Sequence, residues 1–325
     1  MWTSSRKASK VNRMIAILND LEFMDAQVHK NIAIIPLKTP ANYGFDVITL
    51  KKGFELGLVE VKECETSTVN TLVVKNNAVT PLLLVDGEEI IGGDQNRIVN
   101  ATILIEAKSE MKVPVNCTEH GRWGYKHEFK HSNYMANYRT RSAKIRASIA
   151  NGNEQSAVWD AIDVLENSRD FSSPTQAMSE SYDNAKADLS EFADAFDIKK
   201  GQSGVVVLVD GEMKGFEIFL NSDVYGQYHE KIIKSYLIDA EINDSVFTID
   251  IDLIKDRISK ALDSKVSKSK NNGLESRFDF KNDEGMGTLY TFQDELMHLS
   301  YFTGAEDGSN SDAPNVNVDY DDVTT

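Results

Sequence analysis

The chain has few of the features that mark secreted or membrane proteins. Its 325 residues include only two cysteines, Cys64 and Cys117. Two cysteines cannot form the disulfide framework of a small secreted domain, so we expect a reducing, cytoplasmic setting. No apolar run approaches the roughly 18 residues that cross a bilayer, and the first ten residues lack the apolar core of a signal peptide. We therefore expect no membrane partner.

Positive charge and common catalytic motifs are also scarce. Lys and Arg number 35 against 51 Asp and Glu, which gives a net charge of -16. Because phosphate backbones repel such a surface, we expect no general binding of nucleic acid, although a local basic patch can still bind a small anion. There is no Walker loop, no G-x-G-x-x-G, no G-x-S-x-G and no H-E-x-x-H. The chemistry must therefore be sought in less familiar clusters of residues.

The hydrophobic pattern predicts strands first, then helices, then strands again. The hydrophobic fraction of 41% is typical of a folded globular protein. Apolar runs bounded by turn residues predict strands at 31–37, 45–50, 58–63, 69–75, 81–85, 98–105 and 111–115. Helical spacing predicts helices at 138–150, 154–167 and 177–196. Beyond them we predict a hairpin of 204–209 with 214–220 around Asp210-Gly211, helices at 222–240 and 250–262, and strands at 274–280 and 287–302.

These elements predict an α+β fold with a mixed, mostly antiparallel sheet core and an inserted helical segment. Residues 1–29 are predicted to form an N-terminal arm with a short helix at 11–21. Residues 30–303 are predicted to form one domain, with the helical insertion at about 137–198. Residues 304–325 carry carboxylates without basic residues, so we expect a disordered acidic tail.

The polar run from Asp86 to Arg97 is the first candidate site. It combines carboxylates, amides and a guanidinium with glycines, which allow close approach to a ligand. In an extended strand Glu88 and Glu89 point to opposite faces, so at most one of them faces any one site. The alternative interpretation is a polar hairpin whose charges are solvated.

A second candidate cluster follows at residues 117–123. Cys117 could be a nucleophile if nearby positive charge lowered the pKa of its thiol, and the alternative is a structural, semi-buried cysteine. A zinc site is a further interpretation, because four potential ligands lie close together in the chain: Cys117, His120, His127 and His131. Because no paired C-x-x-C or H-E-x-x-H accompanies them, we predict no metal site.

A local basic island overlaps this second cluster. Within 25 residues it contains Arg122, Lys126, Lys130, Arg139, Arg141, Lys144 and Arg146, with Glu128 as the opposing charge. Such an island suits a phosphate or pyrophosphate group. The alternative is a solvated face that pairs with acidic residues elsewhere.

Four motifs, in order, resemble a known family over about residues 30–303. The first, Leu82 to Trp123, holds Gly87-Glu88-Glu89, Gln95-Asn96-Arg97, Asn100, Cys117, Glu119 and Gly121-Arg122-Trp123. The others are Gln155 to Trp159 with Ser173-Pro174-Thr175, then Val205 to Gly211 with Phe219 and Ser235-Tyr236, then His298 to Phe302. The chain resembles the domain family named for its association with ADP-ribosylglycohydrolase and rhodanese-phosphatase proteins. Asp94 and His120 depart from the residues common in that family, which are basic and Gln respectively.

The resemblance implies a role around ADP-ribose or nucleotides derived from NAD. Our leading hypothesis is a protein that binds or processes a nucleotide sugar, with a small anionic ligand as partner, no assigned cofactor, and a homo-oligomer as one option. In this hypothesis the polar ligand is held by Gln95, Asn96, Arg97 and Asn100, with Arg122 on a phosphate and Trp123 stacked on a ring. The candidate catalytic residues are Glu88 or Glu119 as acid and base, His298, and Cys117 in the thiol alternative. The alternative of another class is a non-enzymatic sensor or interaction module, in which these residues form a buried polar network.

Overall fold

β-Strands dominate the computed structural model, which describes residue 18 and residues 20–40, 45–64, 70–121 and 127–304. The described residues form seven helices and 18 strands in mostly antiparallel sheets, so the predicted α+β class is confirmed. The predicted helix at 11–21 and the predicted acidic tail lie almost entirely outside the described residues.

The element bounds follow in chain order. The strands are Glu22–Phe23 (β1), Gln27–His29 (β2), Ile32–Lys38 (β3), Ile48–Thr49 (β4), Val59–Glu63 (β5), Thr71–Asn76 (β6), Leu82–Leu84 (β7), Glu88–Gly93 (β8), Arg97–Val99 (β9), Ile103–Ile105 (β10), Glu110–Cys117 (β11), His127–Met135 (β12), Gly204–Val209 (β13), Glu212–Phe219 (β14), Val266–Ser269 (β15), Ser276–Lys281 (β16), Gly285–Phe292 (β17) and Glu295–Thr303 (β18). The helices are Leu50–Glu55 (α1), Tyr138–Ile149 (α2), Glu154–Ser168 (α3), Met178–Asn184 (α4), Lys186–Ala193 (α5), Ser222–Leu237 (α6) and Ile251–Leu262 (α7).

A nine-stranded antiparallel sheet forms the larger layer. Its order is β1-β3-β13-β14-β18-β17-β16-β15, and β2 also pairs with β3. Strands β3 and β13 are apolar and almost fully buried along their lengths, as expected for central strands with both faces covered. The predicted Asp210-Gly211 hairpin joins β13 to β14, and both turn residues have the positive φ that a tight turn of this kind requires.

A six-stranded sheet in the order β12-β8-β9-β11-β6-β5 forms the second layer. Its two end strands, β12 and β5, also contact each other, so the sheet curls on itself. A small third sheet, β10-β7-β4, contains the parallel pair β4–β7. Helix α6 packs against β12 and against β13 and β14, so it lies between the two large sheets. Helices α2–α5 lie between β12 and β13 in the chain, where we predicted the helical insertion.

Several element boundaries differ from the sequence predictions for local reasons. The predicted helix at 177–196 is two helices, α4 and α5, separated at Ala185. The predicted strand at 45–50 is wrong beyond β4, because Thr49 accepts a hydrogen bond from the Lys52 amide (3.3 Å) and so begins α1. Helix α6 is capped by Asn221, just before the predicted start at 222, which accepts from the Val224 amide at 2.9 Å. No helix of the described ranges combines the length and apolar character that crossing a membrane requires.

Candidate functional site

The polar run from Asp86 to Arg97 is buried and is not a solvated hairpin. It forms β8, a turn and β9, in the middle of the six-stranded sheet. Glu88 and Glu89 are both 0% exposed, and they contact different groups, as the alternation of side chains along a strand predicts. The two carboxylates therefore belong to two separate environments.

Glu88 lies in an ion pair inside the fold. Its Oε1 accepts from Lys231 of α6 at 3.2 Å, and its Oε2 accepts from the Tyr228 hydroxyl at 3.1 Å. The Val85 amide donates to the same Oε2 at 3.2 Å. Because Glu88 and Lys231 are both buried, this contact joins the six-stranded sheet to α6 and leaves Glu88 no exposed oxygen.

His298 lies in the same interior region. Arg141 of α2 binds Glu217 of β14 in a bidentate pair with both distances at 2.8 Å. His298 contacts Glu217 through Nε2 at 3.4 Å and Thr102 through Nδ1 at 2.8 Å. Burial alone acts to raise the pKa of Glu217, but the Arg141 guanidinium and hydrogen bonds from His298 and Arg141 lower it to about 2. Glu217 is therefore ionised throughout the physiological range.

A third buried pair completes this region. Lys144 of α2 donates to Asp86 and to the carbonyl of Asn100 (2.6 Å), and burial lowers the pKa of Lys144 against the opposing effect of Asp86. Gly87 has φ +80°, and a Cβ there would lie 2.5 Å from Cδ of Arg141. We call this set of eight residues the buried network: Asp86, Glu88, Thr102, Arg141, Lys144, Glu217, Lys231 and His298.

Glu89 faces the other side of β8. The Thr118 hydroxyl donates to Oε1 at 3.2 Å, whereas Oε2 makes no well-formed hydrogen bond within the described ranges. Burial raises the pKa of Glu89 to about 7, and the nearby Glu119 adds to the rise. The hydroxyls of Ser132 and Thr118 and the charge of Lys231 oppose the shift without cancelling it. Glu89 therefore exchanges protons near neutral pH.

Beside Glu89 lies a cleft of about 490 Å³. Strand β12, the end of β8 and the helices α4 and α5 form its walls. Its lining residues are Ile91, Gly92, Asn96, His127, Glu128, Lys130, His131, Ser132, Asn133, Tyr134, Ser179, Asp183 and Lys186. Most of these side chains are polar, and Ser132 both lines the cleft and lies beside Glu89.

Asn96 is the predicted ligand-binding residue that lines this cleft. Its Oδ1 accepts from the Gly92 amide at 3.1 Å, and its Nδ2 donates to the Ser179 hydroxyl at 3.3 Å. The Asn96 amide donates to Oε2 of Glu119 at 3.1 Å, which holds this second carboxylate behind the cleft. These contacts fix the turn between β8 and β9 against α4.

Tyr134 supplies the aromatic surface of the cleft. Its hydroxyl donates to Asp183 at 2.7 Å, and its ring stacks on Tyr182 with centroids 4.7 Å apart. Burial and the Asp183 carboxylate both raise the pKa of Tyr134, so the phenol stays protonated. The ring is thereby held in one orientation.

The remaining predicted residues lie near the cleft or outside the described ranges. Gln95 and Arg97 flank Asn96 and are buried, and Cys117 pairs with Arg97 in the antiparallel register of β9 and β11. Burial raises the pKa of the Cys117 thiol more than Arg97 lowers it, which is unfavourable for a nucleophile. Two predicted ligand-binding residues, Arg122 and Trp123, fall among residues that the structure does not describe.

The predicted basic island does not form a single patch in the described part of the chain. Arg141 and Lys144 are buried in ion pairs, whereas Lys130 is exposed and lines the cleft. The zinc spacing is not realised either, because the described residues contain no cluster of three or more His, Cys, Asp or Glu side chains that could hold a metal ion.

Comparison with known proteins identifies the family. The model of the ARG and Rhodanese-Phosphatase-superfamily-associated Protein domain, ARPP-1, matches residues 20–302. The chain belongs to the ARPP-1 family. No curated protein and no solved structure matches it. The family name links the domain to proteins associated with ADP-ribosylglycohydrolase, which is a broad connection to ADP-ribose and specifies no ligand or reaction.

The four motifs on which the resemblance rests fall into two groups in the structure. Ser235 and His298, from the third and fourth motifs, contact Arg141 and Glu217 in the buried network. The second motif lies beside the first: the side chain of Gln155 brackets the backbone of Cys117, accepting from its amide at 2.7 Å and donating to its carbonyl at 3.0 Å. The first motif contributes to both groups.

Sequence reasoning missed Glu89, Ser132, Tyr134 and Ser179. Glu89 could have been found, because side chains alternate along a strand and Glu89 therefore had to face away from Glu88. We assigned no role to the residues on that second face. The other three lie in elements that carry no motif, and the fold alone brings them to the cleft.

Proposed function

We propose that the cleft binds a small polar ligand of the nucleotide-sugar class, such as ADP-ribose, and that Glu89 exchanges a proton with it. The observation that carries the proposal is a fully buried carboxyl group with a pKa near 7, which lies beside a polar cleft. Strongly perturbed carboxyl groups at clefts are typical of acid–base sites.

The size and lining of the cleft support this ligand class. A volume of about 490 Å³ lies within the roughly 300–1,000 Å³ range of small-molecule sites. The amide of Asn96 and the hydroxyl of Ser179 can bind sugar hydroxyls, and the ring of Tyr134 offers a flat surface to a base. Lys130 and Lys186 are exposed at the cleft and can meet phosphates.

Glu89 supplies the proton-transfer group of the proposal. A group whose pKa lies near the working pH both donates and accepts protons efficiently. Glu89 meets this condition, whereas Glu217, with a pKa of about 2, does not. Glu89 reaches the cleft through Ser132, whose hydroxyl lies beside it and lines the cleft wall. Glu119 is the second carboxylate near the cleft, and it accepts a hydrogen bond from the backbone amide of Asn96.

The non-enzymatic alternative keeps one supporting observation. Glu88 and His298, which we predicted to be catalytic, lie in the buried network, and their partners Lys231, Glu217 and Thr102 do not line the cleft. A sensor module would use the same cleft for binding and show no turnover. Incubation of ADP-ribose with the protein, followed by chromatography of the products, separates the two: a product that Glu89→Gln no longer forms supports the enzyme.

The binding test is a thermal-shift measurement with ADP-ribose, NAD, AMP and ribose 5-phosphate. A ligand at a hundredfold excess over its dissociation constant adds about 2.7 kcal/mol to the stability, which raises the melting temperature by several degrees. The double variant Lys130→Glu/Lys186→Glu should lose the shift with ADP-ribose and keep its fold, since both lysines are exposed. The matched control, Lys112→Glu/Lys200→Glu, alters two exposed lysines away from the cleft and should keep the shift.

Two results would contradict the proposal. One is the absence of a shift with every member of the panel. The other is a shift that survives in Lys130→Glu/Lys186→Glu, because the ligand would then bind outside the cleft.

A further inference from the structure

Three buried polar atoms near the cleft have no hydrogen-bond partner in the described part of the chain. They are Oε1 of Gln95, Nε1 of Trp159 and Oγ1 of Thr175. Gln95 belongs to the first of the four motifs described above, and Trp159 and Thr175 belong to the second. A buried polar atom without a partner destabilises a protein, so three of them at one place require an explanation.

All three residues contact the same two-residue segment, His120-Gly121. Gln95 donates through Nε2 to the His120 carbonyl at 3.4 Å, and the Trp159 ring meets the His120 ring edge-on with centroids 4.7 Å apart. The Gly121 amide donates to the Thr175 carbonyl at 2.8 Å. A Cβ at Gly121 would lie 3.1 Å from Cα of Thr175, so glycine permits this close approach. We call this place the His120 seam.

The His120 seam adjoins the cleft. Gln95 immediately precedes Asn96, which lines the cleft, and the loop that carries Thr175 leads through Gln176 into α4, which carries Ser179. The Glu119–Ala177 bridge and the hydrogen bond from the Met178 amide to the Thr118 carbonyl (2.9 Å) hold these segments together. A ligand in the cleft therefore has the seam beside it.

We infer that the His120 seam is a second recognition site, which takes the uncharged, hydroxyl-bearing part of the same ligand. None of the three groups is ionisable. The Trp159 nitrogen only donates, the Gln95 oxygen only accepts, and the Thr175 hydroxyl does both, which matches the hydroxyls of a sugar ring. His120 is exposed, and its ring is held by the Trp159 ring and by a 3.0 Å contact of its Nδ1 with Oε1 of Gln176. In this inference the sugar reaches the three atoms when the His120 ring leaves both contacts. This inference rests on the proposed function, in which the cleft binds the phosphate-bearing part.

The test replaces each residue by one that lacks the unpartnered polar atom: Gln95→Met, Trp159→Phe and Thr175→Val, combined in one triple variant. Removal of the unpartnered atoms stabilises the free triple variant, whereas loss of the Gln95–His120 hydrogen bond and of part of the Trp159 ring destabilises it, so we expect its melting temperature to lie within a few degrees of the wild type. Titration calorimetry should show that the triple variant binds ADP-ribose at least tenfold more weakly and binds inorganic pyrophosphate as the wild type does. Lys130→Glu/Lys186→Glu should lose both ligands.

The outcomes separate this inference from the proposed function. If the triple variant binds ADP-ribose as tightly as the wild type, the seam is not a recognition site and its polar atoms bind only water. A triple variant that melts lower than the wild type and loses both ligands in proportion would show that the seam is structural, which also overturns the inference. If the wild type binds neither probe, the proposed function fails together with this inference.

Discussion

The buried network and the cleft lie on opposite faces of one strand, β8, and the carboxylates on the two faces differ in whether a cation pairs with them. In the network, Asp86, Glu88 and Glu217 each face a buried Lys or Arg at close range. At the cleft, Glu89 has no ion pair with any residue that the structure describes, and its pKa is raised to about 7.

This difference is the basis on which we propose Glu89, and not the acids of the network, as the proton-transfer group. A buried carboxylate held by a cation stays charged, and removal of either partner strands the other charge in the interior. A buried carboxyl group without a cation stays near the point of protonation, which is costly for stability and useful for proton transfer. Burial alone therefore does not distinguish Glu89 from the carboxylates of the network, whereas the partners of each carboxylate do.

The largest expected effect is that of breaking the network. Arg141→Met leaves the Glu217 carboxylate buried without its bidentate partner, so we expect a loss of about 3–5 kcal/mol in the free energy of unfolding, measured with urea. The double variant Arg141→Met/Glu217→Leu removes both charges and should recover most of that loss. Arg139→Met, on the exposed side of the same helix, is the control and should cost less than about 1 kcal/mol. A loss below that level for Arg141→Met would contradict the structural role of the network.

Glu89→Gln should change the free energy of unfolding in the opposite direction from Arg141→Met, because it removes a buried carboxyl group that is costly to ionise. The folded protein holds the Glu89 proton up to about pH 7, whereas the unfolded chain releases it near pH 4.5. Between these values the folded state binds more protons, so the wild type loses stability as pH rises, by about 3 kcal/mol at most from this group. Glu89→Gln should lack this decline in urea unfolding curves measured from pH 4.5 to 8. A variant that declines in parallel with the wild type would show that Glu89 ionises normally.

Gln155→Ala tests the contact between α3 and strand β11. The variant loses both hydrogen bonds to the Cys117 backbone and leaves an amide and a carbonyl unpaired, so we expect a loss of about 1–3 kcal/mol in unfolding free energy. Ser156→Ala changes an exposed neighbour on α3 and serves as the control in the same denaturation series. Equal stability of the two variants would mean that the two hydrogen bonds of the Gln155 side chain do not stabilise the packing of α3 on β11.

The smallest effect is expected for Cys117. Because burial raises the pKa of its thiol, alkylation by iodoacetamide in the native protein should be slower at Cys117 than at the half-buried Cys64, as measured by mass spectrometry. Cys117→Ala should cost about 1 kcal/mol of stability and leave the ADP-ribose shift unchanged. Faster alkylation at Cys117 would restore the thiol interpretation.

The sequence predicted the fold class and most of the large elements, because hydrophobic period and turn residues are local signals. It missed β12, in which exposed charged residues such as Glu128 and Lys130 interrupt the apolar pattern. The leading hypothesis grouped Glu88 with His298 in a catalytic site, and the alternative placed them in a buried polar network. Lys231, the partner of Glu88, lies 143 residues away in the chain, and Thr102, a partner of His298, lies 196 residues away, so local patterns cannot reveal them.

Direct titration of Glu89 tests the central claim. Protein labelled with ¹³C at the glutamate carboxyl carbons is followed by NMR from pH 4 to 9, and Glu89→Gln assigns the signal by its disappearance. We predict that the Glu89 signal titrates with an apparent pKa near 7, well above the ordinary glutamate range. A Glu89 signal that is already fully shifted to the ionised position by about pH 5.5 would contradict the proposal that the carboxyl group beside the cleft, and not one in the buried network, exchanges protons near neutral pH.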